Sequence, residues 1–99
     1  MIIELNEDNF YETISKGLKI VEFYTNWCGF CTKQNAVFKE MDDINIYKIN
    51  ADEAPSVVRK YGIHSFPSFI IFKDGKDIHQ FSGLHNKFEL MDIISRFMK

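Results

Sequence analysis

No apolar run in the 99-residue sequence is longer than Phe69 to Phe72. That is far short of the roughly 20 residues a membrane-spanning helix needs. The opening "MIIELNEDNF" has no basic stretch and no long apolar core, so it does not resemble a secretory signal. The 12 Lys and Arg form no cluster among 14 Asp and Glu, and the net charge is −2. Nothing therefore draws the chain to phosphate backbones or anionic lipid, and neither nucleic acid nor a membrane is expected as a partner. A cytoplasmic location is expected. Proline is limited to two residues and glycine to five, and no linker, repeat or low-complexity segment divides the chain. Cysteine is equally scarce: there are two, Cys28 and Cys31. In a reducing compartment such a pair serves catalysis or metal binding rather than a structural staple.

What is present fits one compact domain covering residues 1–99, with 45% hydrophobic and 26% charged residues. Ten Phe point to a core built largely from rings. Met1 to Leu5 reads as a short edge strand. Asn6 is placed to cap a helix through about Lys16, with Phe10 and Ile14 on one face and Gly17 as its stop. Leu18 to Tyr24 is a short, nearly continuous apolar run, the pattern of a central strand. A helix is expected from about Cys28 to Met41, a strand over Ile44 to Ile49, and a helix starting near Asp52 and Pro55 and ending at Gly62. "PSFIIFKDGKDIHQFS" reads as two strands joined at Asp74-Gly75, a hairpin signal. Asn86 and Glu89 form a capping-box start for a last helix, whose Leu90, Met91, Ile94, Phe97 and Met98 should face the core. The order βαβαβαββα implies an α/β fold: a central mixed sheet, parallel where helices cross over, with helices on both faces.

The chemistry sits in "IVEFYTNWCGFC", Ile20 to Cys31. Residues three apart share a helix face, so the two sulfurs can close a disulfide with little backbone motion. Cys28 falls at the helix N-terminus, where free N–H groups and the positive dipole end favour thiolate. An accessible, low-pKa thiolate is what thiol–disulfide exchange needs. Cys28 is thus the attacking thiol and Cys31, one turn further in, the resolving one. Two unrelated buried thiols are a weaker reading. So is a metal site, because a closed zinc site needs four ligands and His64, His79 and His85 lack ligand spacing. No metal and no cofactor are implied. Glu22 interrupts the apolar strand on the face of Ile20 and Tyr24, opposite Lys19. A carboxyl buried there should have a raised pKa, and Glu22 is read as the proton acceptor for Cys31, through a water. An edge-strand acid facing solvent is the alternative.

These motifs, in this order and spacing, resemble the thioredoxin family over essentially the full length. "WCGFC" resembles the family's W-C-G-P-C. "VEFYTNWC" resembles its strand with a buried acid, with Glu22 where Asp is usual. "KINADEAPSVVRKYGIHSFPSFIIFKDGK" resembles its second-half signature, including the proline after a cis bond, here Phe66-Pro67. Gly83 in "FSGLHN" matches a family glycine beside the active-site surface. The resemblance implies a thioredoxin fold. It implies Cys28 as nucleophile, Cys31 as resolver, Glu22 as buried proton acceptor, and Lys48 as a lysine that tunes Glu22. Trp27, Gly29, Phe30, Phe66, Pro67 and Gly83 would form the docking surface for the substrate chain. Three departures stand out: Phe30 replaces the family proline, Ala36 stands where a helix-kinking proline is common, and Tyr24 replaces a frequent Trp.

The expectation is a protein thiol–disulfide oxidoreductase acting as a monomer on disulfide-containing proteins, recharged by an NADPH-dependent thioredoxin reductase. A glutaredoxin-like or isomerase-like oxidoreductase, and a non-enzymatic binding module of the same fold, are the alternatives.

Overall fold

A computed structural model describes residues 1–98. Its elements are β1 (Ile2–Leu5), α1 (Phe10–Ile14), β2 (Leu18–Tyr24), α2 (Gly29–Phe38), β3 (Ile46–Asn50), a 3₁₀ turn (Ala51–Glu53), α3 (Pro55–Tyr61), β4 (Ser68–Lys73), β5 (Lys76–Ser82) and α4 (Lys87–Ser95). The five strands form one sheet in the order β1-β3-β2-β4-β5. Strand β3 runs parallel to both β1 and β2, whereas β4 is antiparallel to β2 and β5. The expected mixed sheet is therefore present, with the apolar Leu18–Tyr24 strand at its centre and the first strand at an edge.

Alternation along the strands builds two cores. On one face Val21, Phe23, Ile49, Ile70 and Phe72 pack with Phe10 and Ile14 of α1 and Val57 of α3. On the other, Ile20, Ile46, Phe69 and Ile71 pack with Phe38 of α2 and Leu90 and Ile94 of α4. Rings dominate as the composition suggested: Phe10 meets Phe72 edge-on at 5.7 Å, and Phe69 stacks on Phe81 at 4.7 Å. Each fully buried Phe or Ile contributes about 1.5–3 kcal/mol through burial. The β4–β5 hairpin turns at Asp74 and Gly75, both at positive φ (49° and 88°), which is why the Asp-Gly pair belongs there.

Several helix ends differ from the sequence expectation. Asn6 does not cap α1; it exchanges two 2.9 Å hydrogen bonds with Asn9, closing a turn, and the helix begins only at Phe10. It also ends early, at Ile14. Helix α2 stops at Phe38, but i→i−3 bonds (Glu40 N–H to Val37, Met41 N–H to Phe38) continue the coil tightly enough to keep Met41 buried on the same face. Strand β3 starts at Ile46 rather than Ile44, whose N–H is turned back to the Met41 carbonyl at 3.2 Å in the preceding turn. The capping box of α4 is complete, with Asn86 and Glu89 exchanging 2.9 Å bonds. Met98 lies past the end of α4 and is exposed, so it does not join the core as expected.

Candidate active site at the head of helix α2

Strand β2 ends at Tyr24 and the chain turns through Thr25 to Trp27 into α2, which sets both cysteines beyond the C-terminal end of the central strand. Cys28 and Cys31 are joined in a disulfide, their Cα atoms 5.2 Å apart. Cys28 is the N-cap residue: its backbone is extended (φ −101°, ψ 109°), and its Sγ accepts the N–H of Cys31 at 3.1 Å. A sulfur thus occupies the place usually taken by a serine or aspartate oxygen at a helix start. Once the disulfide opens, the same donor and the positive end of the helix favour a thiolate on Cys28. Cys28 is half-buried, while Cys31 is only 5% exposed.

Beneath α2 an ionisable row crosses three strands. Lys48 pairs in register with Glu4 on one side and Glu22 on the other, so all three side chains share one face of the sheet. Glu22 is fully buried, and neither of its carboxylate oxygens has a hydrogen-bond partner. Burial pushes its pKa up from 4.5 to about 8, against the pull of the Lys48 ammonium and with a smaller upward push from Glu4. Lys48 Nζ is 3.8 Å from Glu22 Oε1, so its attraction acts as charge rather than as a hydrogen bond. The ammonium instead donates to Asn35 Oδ1 at 2.9 Å and lies 4.3 Å from the centre of the Tyr24 ring. The Tyr24 hydroxyl donates to Glu4 Oε2 at 2.8 Å; burial and that carboxylate raise its pKa. Cys31, Asn35 and Lys48 line a common cleft of about 410 Å³ with Tyr24, Thr25 and Ala36. Glu22 lies beside Lys48 on the neighbouring strand and is shut off from solvent.

Around the disulfide, Trp27 is 71% and Phe30 58% exposed. Trp27 meets Phe66 edge-on at 5.9 Å, and its Nε1 donates to Asp52 Oδ2 at 2.9 Å. The Phe66-Pro67 peptide bond is cis. Pro67 is itself buried, and its carbonyl accepts the N–H of Gly83 at 2.8 Å. Gly83 has φ +94°, which suits glycine, and space beyond its Cα is open. Gly29 is exposed, with no atom within 4 Å of where a Cβ would project. The fold thus brings Trp27 to Phe66 and Pro67 to Gly83. Phe30 stands apart from the Trp27–Phe66 pair, with the Lys33 ammonium 5.8 Å from its ring centre.

Three contributors escaped the sequence reading. Asp52, a helix-start signal in the sequence, holds the Trp27 indole. Asn35 and Gln34 sit one turn past Cys31 and grip other elements through side-chain amides. The available signal was two consecutive amides on a helix whose inward face is otherwise apolar.

A capping, half-accessible cysteine that has formed a disulfide with a buried one three residues on, over a mixed sheet, defines a thiol–disulfide oxidoreductase. The Thioredoxin family model matches residues 1–96, and the chain belongs to the thioredoxin family. It is 34% identical to the thioredoxin of Chlamydia muridarum over 97% of this chain and 98% of that one. With the thioredoxin of Staphylococcus haemolyticus it shares 31% identity over 98% of each. In shape it matches the crystal structure of Malassezia sympodialis thioredoxin (Mala s 13) with a TM-score of 0.82, at 23% identity, covering 97% of this chain and 90% of that chain.

Proposed function

We propose that the protein reduces disulfides in protein substrates, working in the cytoplasm as a monomeric electron carrier recharged by an NADPH-dependent thioredoxin reductase. The Cys28 thiolate attacks one substrate sulfur; the substrate S–S bond breaks, its other sulfur leaves as a thiolate, and a mixed disulfide forms. Cys31 then gives its proton to Glu22 and attacks Cys28 Sγ, releasing the second substrate thiol and closing the Cys28–Cys31 disulfide. Lys48 tunes Glu22 and links its buried carboxyl to the cleft that Cys31 lines. Trp27, Gly29, Phe30, Phe66, Pro67 and Gly83 receive the substrate chain beside the sulfurs. No helix among the described residues is long and apolar enough to cross a bilayer.

The observation that carries this reading is the asymmetry of the two sulfurs: Cys28 accepts a helix N–H at 3.1 Å and meets solvent, whereas Cys31 is 5% exposed. Insulin reduction tests it. Wild type should turn over with NADPH and thioredoxin reductase, and Cys28→Ser should not. Turnover supported by glutathione but not by the reductase would move the protein to glutaredoxin-like chemistry.

A further inference from the structure

One turn beyond Cys31, α2 buries a side chain that the thiol chemistry does not use. Gln34 is fully buried, and both ends of its amide bind the main chain of a single residue. Its Nε2 donates to the His85 carbonyl at 2.9 Å, and its Oε1 accepts the His85 N–H at 2.8 Å. His85 lies between β5 and α4, where no strand pairs with it, so the glutamine takes the place of a neighbouring strand. A polar amide at an inward helix position is costly to bury unless both of its ends are bonded, and here both are.

The segment that Gln34 grips is the one carrying Gly83. The His85 Nδ1 and the Gly83 carbonyl are 2.7 Å apart, and the His85 ring packs edge-on against Phe69 and Phe81. Gly83 in turn donates to the Pro67 carbonyl at 2.8 Å. The segment is thus tied to the Pro67 loop at residue 83 and to the cysteine-bearing helix at residue 85.

We propose that Gln34 is a positioning residue for substrate docking, setting the Gly83–His85 segment at a fixed distance from the Cys28–Cys31 helix. The inference rests on reading Gly83 as part of the docking surface. A protein disulfide must lay chain against that segment while presenting its sulfur to Cys28. A small disulfide presents only its sulfurs. Loss of the clamp therefore weakens binding of the first and leaves attack on the second untouched.

The test uses the full chain with Gln34→Met, which keeps the length of the side chain and removes both hydrogen bonds. Three quantities are read: KM and kcat for insulin, the rate with hydroxyethyl disulfide, and hydrogen exchange at the His85 amide. The expected result is a KM for insulin raised about five- to tenfold, the scale of one or two lost hydrogen bonds, with kcat within about twofold. The hydroxyethyl disulfide rate should stay at the wild-type value, and the His85 amide should exchange faster. An unchanged insulin KM, or equal losses with both disulfides, overturns the proposal. Gly83→Ala measured in parallel separates the two readings. If it leaves the insulin KM unchanged, the docking assignment itself fails; if it raises KM while Gln34→Met does not, only the role of Gln34 fails. Should Gln34→Met not fold, Gln34→Leu is read in the same way, and failure of both to fold overturns the proposal by making Gln34 a residue of the core.

Discussion

Lys48 stands 3.8 Å from Glu22, beyond hydrogen-bond reach, and donates instead to Asn35 Oδ1, 2.9 Å away on α2. The helix that carries Cys31 therefore holds back the cation that pairs with the buried acid among the described residues. Asn35→Ala should release Lys48 toward Glu22 and lower the carboxyl's midpoint from about 8 by about one pH unit, the usual effect of an opposite charge moved into contact. Carbon-detected NMR titration of the Glu22 carboxyl checks this. A midpoint left in place would show that Asn35 does not compete for the ammonium.

Glu22 has two separable consequences, one kinetic and one thermodynamic. The proposed role as base for Cys31 requires an ionised Glu22, so resolution of the mixed disulfide should speed up as pH rises through about 8. Glu22→Gln should slow resolution more than formation and erase that inflection. Quenched-flow trapping of the Cys28 mixed disulfide reads both steps, and unchanged resolution would reduce Glu22 to a structural role.

The same carboxyl should weaken the fold. Between its ordinary 4.5 and its folded value of about 8, the folded state keeps a proton that the unfolded state has released. Folded protein then binds more protons than unfolded, and stability falls as pH rises across that window. Glu22→Gln removes the effect and should be more stable at pH 7 by on the order of 3 kcal/mol, with little difference near pH 4.5. Urea midpoints at pH 5, 6, 7 and 8 decide it: a gap between variant and wild type that does not widen contradicts the pKa.

Which parts of this arrangement were legible in the sequence depended on how local their cause is. The buried strand, the Asp74-Gly75 turn, the Asn86–Glu89 cap and the cysteine pair each follow from a few neighbouring residues, and each is present in the fold. The limits of α1 and β3 escape a pattern reading because competing turn bonds set them: Asn9 answers Asn6, and the Ile44 N–H turns back to the Met41 carbonyl. The same holds at the site. Glu22 stood out as an acid inside an apolar run. The Asn35–Lys48 and Gln34–His85 contacts join residues 13 and 51 positions apart, and no short-range pattern announces them.

Alkylation should distinguish the two thiols after reduction. Cys28 combines access with the N-terminal donors of α2, while Cys31 is 5% exposed. Iodoacetamide at neutral pH should modify Cys28 at least tenfold faster, since both the thiolate fraction and access favour it. Peptide mass spectrometry over a time course measures the ratio. Equal rates would remove the assignment of attacking and resolving roles.

Phe30 is the departure that should set the redox potential. It occupies the second position of α2, where proline would fix φ and lack an N–H. With Phe30 the first turn keeps that donor and more freedom to aim it at the Cys28 sulfur, which already accepts from Cys31 N–H at 3.1 Å. A hydrogen bond to a charged group is worth about 1.5–3 kcal/mol, and about 30 mV corresponds to 1.4 kcal/mol in this two-electron couple. Stabilising the thiolate stabilises the dithiol form, so the potential should lie above the roughly −270 mV typical of thioredoxin and below the roughly −180 mV of disulfide isomerase. The opposing effect is the exposed Phe30 ring, which desolvates the thiolate and pushes the potential down. Because that ring is 58% exposed and turned toward Lys33, its desolvating effect is the smaller of the two. Phe30→Pro should therefore be more reducing than wild type by about 30 mV or more. Equilibration of both proteins against glutathione buffers measures the difference directly, and a proline variant that is equally or less reducing shows that the lost donor does not control the couple.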